Sequence, residues 1–199
     1  MRKTYFRVVV LAAAACGFAG AVRSAQAAFI ITVQQSGTNV VMTGTGTINT
    51  AGLGSPTPYN NGASVYAPAA FLTGGPVTNT TCNQFSTGIS GPTSFGSTGG
   101  FIDADSGSGN LVGIYGSKLY LPSGYVTNTA LAFTDTYDNE TISGLGLTPG
   151  TYTYSLGAGG NADSLTIGVS AVPEPASLSL LGIGGLTLLR RRARRGARG

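Results

Sequence analysis

Seven carboxylates occur in the 199-residue chain, and six of them, between positions 103 and 163, are the side chains whose spacing comes nearest to chemistry. Asp103-Ala104-Asp105-Ser106-Gly107-Ser108-Gly109-Asn110 places two acids at i and i+2, as calcium loops do. The third ligand position holds Gly107, and Ile114 stands where a closing glutamate is needed. Asp103 and Asp105 are therefore weak metal candidates, a solvated Asp-Gly turn is the expectation, and no metal or cofactor is expected. Asp135, Asp138 and Glu140 are the residue types of a glycosidase pair. Such a site also wants a cleft and aromatic platforms, and tryptophan is absent. These acids are expected to flank a hairpin turn at Tyr137-Asp138-Asn139 and keep an uncharged sheet soluble, so no catalytic residue is assigned. The chain has no histidine, which excludes Ser-His-Asp triads, Cys-His dyads and His-ligated zinc.

The elements that would position any site are set by a lopsided composition. Glycine supplies 32 residues, and charged residues only 9% against about 25% in ordinary domains. The formal charge of +4 belongs to the ends. Arg2, Lys3, Arg7 and Arg23 lie near the start, and Arg190, Arg191, Arg192, Arg194, Arg195 and Arg198 near the finish. Between them Lys118 is the one base against six acids, too little to neutralise a phosphate backbone, so nucleic acid is excluded as a partner of the body.

The first 27 residues read as a secretory signal peptide. Arg2, Lys3 and Arg7 make the basic region, residues 8–22 the apolar stretch, and Ala25-Gln26-Ala27 the small-x-small cleavage pattern. Signal peptidase is expected to cut after Ala27, with Ala25 and Ala27 as the recognised positions. At the other end, Pro173-Glu174-Pro175 precedes an apolar run over 176–189 and then Arg190-Arg191-Arg192-Ala193-Arg194-Arg195. The prolines fix φ and keep the strip extended. Fourteen helical residues would span about 21 Å, short of the ~30 Å hydrocarbon core, and snorkelling arginines recover part of the difference. The positive-inside bias keeps the arginines cytoplasmic and puts the acidic body across the membrane.

Pro173-Glu174-Pro175, the short apolar helix and the arginine tail together resemble the PEP-CTERM sorting signal of Gram-negative bacteria. The resemblance implies recognition by an exosortase, a membrane-embedded transpeptidase-like cysteine protease, with Pro173, Glu174, Pro175, Arg190, Arg191 and Arg192 as the sorting residues. It also implies export across the inner membrane, a transient anchor through the C-terminal helix, and release to the cell surface or extracellular matrix. Family context adds an association with exopolysaccharide. A looser resemblance to the region before such signals covers residues 100–169, through Leu121-Pro122-Ser123-Gly124-Tyr125, residues 146–152 and residues 161–167; it implies a shared surface module and no activity.

The body, residues 28–171, alternates apolar and polar residues between glycine-rich turns, the pattern of an all-β fold. Tyr152, Tyr154 and Leu156 share one face of a strand, and Leu165, Ile167 and Val169 that of another. Further strands are expected at 29–35, 39–49, 111–115, 118–121, 130–136 and 140–145, with short ones at 64–72 and 83–89 among long polar loops. The expectation is an antiparallel, jelly-roll-like β-sandwich between an N-terminal signal helix and a C-terminal transmembrane helix, with the sorting signal at 172–199. Cys82, alone once the leader is removed, can form no internal disulfide and lacks an activating base, so it reads as a small hydrophobe or a bridge to a second chain. Thr43, Thr45 and Thr47 form a hydroxyl stripe, and Tyr59, Tyr66 and Tyr125 lie near turns; both fit weakly with a polysaccharide surface. A non-catalytic matrix protein is the reading these features support, and a carbohydrate-acting enzyme or a permanently anchored envelope protein are the alternatives.

Overall fold

A computed structural model describes residues 28–170. The expected signal helix, with Ala25 and Ala27, and the whole sorting signal lie outside the described residues. Among those described, the strands are β1 (Ala28–Ser36), β2 (Asn39–Gly46), β3 (Thr57–Asn61), β4 (Ser64–Tyr66), β5 (Phe71–Gly74), β6 (Thr80–Phe85) and β7 (Ile89–Ser90). They continue as β8 (Ile102–Asp103), β9 (Ser106–Gly109), β10 (Val112–Tyr115), β11 (Lys118–Pro122), β12 (Leu131–Tyr137), β13 (Gly150–Leu156) and β14 (Asp163–Ser170). Two single 3-10 turns, Ala67–Ala69 and Gly159–Asn161, are the helical content there.

The strands form two seven-stranded sheets. Sheet A runs β7-β13-β14-β1-β2-β12-β9, and sheet B runs β3-β6-β11-β10-β5-β4-β8. Alternation explains why their inner faces meet. Phe29, Ile31 and Val33 of β1, Val40 and Met42 of β2, and Leu165, Ile167 and Val169 of β14 point one way. They share one buried core with Val65, Leu72, Ile114, Leu119 and Leu121 of sheet B. Two edge strands, β7 and β8, are two residues long, and edge strand β3 carries Pro58, features that blunt pairing with another chain.

Two expectations are corrected. All pairs were expected to be antiparallel, yet β1 and β14 pair in parallel at the centre of sheet A, from Ala28 beside Ser164 to Gln34 beside Ser170. Parallel pairing needs a long crossover, and here almost the whole body serves as one. The expected strand over 140–145 is instead a tight winding. Leu145 N–H donates to the Thr141 carbonyl at 2.9 Å and Leu147 N–H to that of Ile142 at 3.0 Å. Ile142, Leu145 and Leu147 all reach the core, which strand alternation would not allow. The turn after Tyr137 exists, with Asn139 at φ 56°, but it leads into this winding rather than back along β12.

Strand β12 fastens the two sheets together. Phe133 faces Gly44 of β2 within sheet A and reaches Gly74 of β5 in sheet B; a Cβ at either glycine would overlap its ring. Phe29 stacks on the same ring at 6.1 Å. Two residues on, Asp135 is 1% exposed and its carboxylate accepts the Gly75 N–H of sheet B at 3.1 and 3.2 Å. Gly75 adopts φ 120°, a region that favours glycine, and a Cβ on neighbouring Gly107 would collide with both the Gly75 carbonyl and Asp135. Burial pushes the Asp135 carboxyl up to about 7, with the Gly75 hydrogen bond pulling the other way. Beside it Tyr137 is fully buried with its hydroxyl unpartnered, and burial, then the Asp135 charge, raises its phenol.

Gly74→Ala is expected to destabilise the protein by about 1–3 kcal/mol through overpacking, with partial recovery when Phe133→Leu is added; urea melts reporting a wild-type midpoint for Gly74→Ala would contradict this fit. Asp135 also makes stability pH-dependent. Its folded value lies above the ordinary 3.8, so its contribution is full below about pH 4 and is lost as pH rises through about 7. Stability should fall by about 2 kcal/mol from pH 5 to pH 8. Asp135→Asn, which keeps an acceptor for Gly75, should flatten that slope and leave the weaker one from Asp163, a buried carboxyl raised in the same sense. Equal slopes in both proteins would refute the assignment.

Candidate functional site

The outer face of sheet B carries a band of aromatic rings, and strand register explains how they assemble. The two-residue turn Gly116-Ser117, with Gly116 at φ 54°, closes the β10–β11 hairpin and sets Tyr115 opposite Lys118. Phe71 of β5 pairs with Tyr115, and Tyr66 of β4 with Phe71, so four strands present one continuous row. The rings of Phe71 and Tyr115 meet edge to face at 5.5 Å. Phe101, just before β8, lies 5.1 Å from Phe71. On the far side Tyr59 of β3 pairs with Cys82 of β6 and packs its ring 5.3 Å from Tyr120 of β11.

Between these rings lies an open groove of about 220 Å³, lined by Tyr59, Asn61, Tyr66, Phe71, Phe101 and Tyr115. Three of the rings stay substantially in water: Tyr59 is 47%, Phe101 58% and Tyr115 41% exposed. Lys118 Nζ sits 5.6 Å from the Tyr115 ring centre. Asn61 is 7% exposed; its Oδ1 accepts the Gly62 N–H at 3.0 Å and its Nδ2 is buried without a partner. A buried amide left unpaired is costly, and the residue that carries this one lines the groove. The segment that holds it is fixed from below. Thr73 Oγ1 donates to the Gly62 carbonyl at 2.6 Å, and Ala63 N–H donates to that of Pro76 at 3.0 Å.

Beneath the groove the chemistry is closed. Cys82 is fully buried and burial raises its thiol, so it is neither an activated nucleophile nor placed to bridge a second chain. Tyr120 donates to Gln84 Oε1 at 3.3 Å, and burial, reinforced by Tyr59, Cys82 and Tyr115, raises its phenol.

The residues singled out from sequence are scattered. Asp103 ends β8, and Asp105 Oδ2 accepts the Asp138 N–H at 2.7 Å, so its carboxylate braces a turn. Among the described residues no three His, Cys, Asp or Glu side chains gather to hold a metal ion. Asp135 is sealed between the sheets, whereas Asp138 takes a 2.7 Å hydrogen bond from Asn39 Nδ2 at the exposed end of sheet A. Thr43 and Thr45 do face solvent, in a field that includes Thr32, Thr134, Thr151, Thr153 and Thr166 on the outer side of sheet A. Tyr125 is structural: its hydroxyl accepts the Ile48 N–H at 3.0 Å and lies 3.0 Å from the Thr129 carbonyl. Tyr59 and Tyr66 belong to the groove, while Phe71, Phe101, Tyr115 and Asn61 were not legible as site residues. The available signal was parity: Tyr115 and Tyr120 fall on the outward positions of two strands joined by Gly116-Ser117.

Among the described residues no helix is long and apolar enough to cross a membrane. No curated protein and no solved structure matches the chain. Residues 171–195 match the family model of the PEP-CTERM protein-sorting motif. That match contains Pro173, Glu174, Pro175, Arg190, Arg191 and Arg192 and begins directly after β14 ends at Ser170. Such a motif implies export, a transient membrane-anchored stage and processing by an exosortase. The chain thus carries a PEP-CTERM protein-sorting motif at residues 171–195.

Proposed function

We propose that this is a Gram-negative cell-surface or extracellular-matrix protein whose non-catalytic, jelly-roll-like body associates with exopolysaccharide after exosortase releases it from a transient transmembrane anchor. The observation that carries the reading is the position of the sorting motif against the fold. The motif begins at residue 171, immediately after Ser170, and β14 is hydrogen-bonded on both sides, to β1 and β13. Cleavage near Pro173-Glu174-Pro175 therefore removes no strand from either sheet, and signal-peptidase cleavage after Ala27 leaves β1 whole. Because β1 and β14 run in parallel over seven paired residues, the two trimmed ends leave opposite ends of this central strand pair, about 20 Å apart. A body that loses both address labels intact suits a product left outside the cell. The non-catalytic part of the reading is supported by the burial of Asp135, 1% exposed with its carboxylate turned onto the Gly75 N–H.

Mass spectrometry of the protein from its host should find peptides ending near Pro173-Glu174-Pro175 and none extending past Leu189. Replacing Arg190, Arg191 and Arg192 by glutamine should leave an unprocessed chain in the membrane fraction. A secreted chain that keeps its arginines would defeat the sorting reading. Incubation with host polysaccharide should release no reducing ends; release abolished by Asp135→Asn or Glu140→Gln would instead establish the enzyme alternative.

A further inference from the structure

We infer that the aromatic groove on the outer face of sheet B is a binding site for a neutral polysaccharide, with Tyr59, Phe101 and Tyr115 as stacking platforms and Asn61 Nδ2 as a hydrogen-bond donor to a sugar hydroxyl. The inference rests on the export reading, which brings the groove to the compartment where such polymers lie, and adds the site and the class of glycan.

The geometry selects the ligand in three steps. First, Tyr59, Phe101 and Tyr115 leave between 41% and 58% of their surface in water, a cost that a folded protein keeps where something covers the patch. Three half-exposed rings offer on the order of 300 Å². A second protein copy would ordinarily need about 800 Å² per partner, so the groove is scaled to a narrow chain rather than to another domain. Second, the lining is amphipathic. A lipid or other wholly apolar ligand favours an enclosed apolar pocket. Here the groove is open, two of its exposed rings carry phenol hydroxyls, and a buried amide stands unpartnered in its wall. A pyranose matches that mixture: its axial C–H bonds present a weakly positive apolar face to the negative face of a ring, while hydroxyls project from its rim. Third, charge excludes polyanions. Six carboxylates and one lysine lie between residues 28 and 170, and that lysine is already drawn to the Tyr115 ring. An acidic polymer would meet net repulsion from the body. A neutral glycan does not.

Affinity electrophoresis of the exported protein tests this, in gels cast with hydroxyethylcellulose, laminarin, mannan or galactan, with alginate as the acidic probe and polymer-free gel as reference. At least one neutral polymer should retard the protein, and alginate should not. Tyr59→Ala, Phe101→Ala and Tyr115→Ala should each weaken retardation about five- to tenfold. Tyr59→Phe, which keeps the ring, should stay near wild type, as should Val126→Ala, an exposed apolar residue outside the groove. The altered rings are exposed, so thermal midpoints should remain near wild type; an Ala variant that melted early would be replaced in the comparison by the other two. Retardation by no neutral polymer, by alginate alone, or equally in all variants would overturn the proposal. So would sedimentation showing a wild-type dimer that the ring variants convert to monomer. The C-terminal mass of the same sample separates failures: a trimmed chain without retardation leaves the sorting reading standing and removes the groove.

Discussion

The grip of β12 on the corner Gly74-Gly75 is the constraint on which the rest of the structure depends. Hydrophobic burial alone lets two sheets slide over one another, because it is roughly proportional to area and has no direction. Phe133 and Asp135 supply direction. The ring enters the gap left by Gly44 and Gly74, and the carboxylate takes the N–H of the next residue, Gly75. One interaction is steric and the other a directed hydrogen bond, and they act on adjacent residues of sheet B. The price is a buried carboxyl pushed up to about 7, which puts half of its population in the costly ionised form near neutrality.

That corner also governs the groove. Gly75 leads into Pro76 and Val77, whose carbonyls lie against Ala63 and Gly62, and Gly62 takes a further hydrogen bond from Thr73. Asn61, held through its own Oδ1 by Gly62, is thus placed by a short relay of backbone contacts that begins at β12. Phe71, at the other end of the same β5 strand, forms the floor. A shift of the sheets at Gly74 would therefore move both the donor and the floor. Core and site share one strand.

Local pattern made β1, β2, β12, β13 and β14 legible, because each alternates residues between a core and a solvent face. It failed where local sequence does not decide. Nothing in Phe29-Ile30-Ile31 names β14 as its neighbour, since parallel and antiparallel strands alternate alike, and the two segments lie more than a hundred residues apart. Thr57-Pro58-Tyr59-Asn60-Asn61 has no apolar alternation and becomes a strand because β6 offers it an edge. Ile142 and Leu145 were misread as strand residues because three buried side chains in a glycine-rich stretch also fit a winding. The groove was half visible: Tyr59 and Tyr66 stood out as tyrosines near turns, but Phe71 and Tyr115 join them only through register across three pairings. The sorting end was the most legible part because a linear motif needs no tertiary partners.

The two outer faces finally explain how so uncharged a body can remain dissolved and still bind. Sheet A exposes a field of threonine and serine, whose hydroxyls satisfy water without charge and without inviting ion pairs. Sheet B gathers the exposed rings Tyr59, Phe101 and Tyr115 around one groove, while on sheet A Ile30 is the exposed large apolar side chain among the threonines. Random scatter of apolar surface would place such rings on both faces, each small enough to be harmless. Segregation of hydroxyls to one sheet and exposed rings to the other is a physical polarity of the sandwich: period-two alternation hands β2, β13 and β14 hydroxyls outward on sheet A, while register gathers Tyr59, Tyr115 and neighbouring Phe101 on the outer face of sheet B. One face is therefore built to stay wet, and the other is left with surface that gains by being covered.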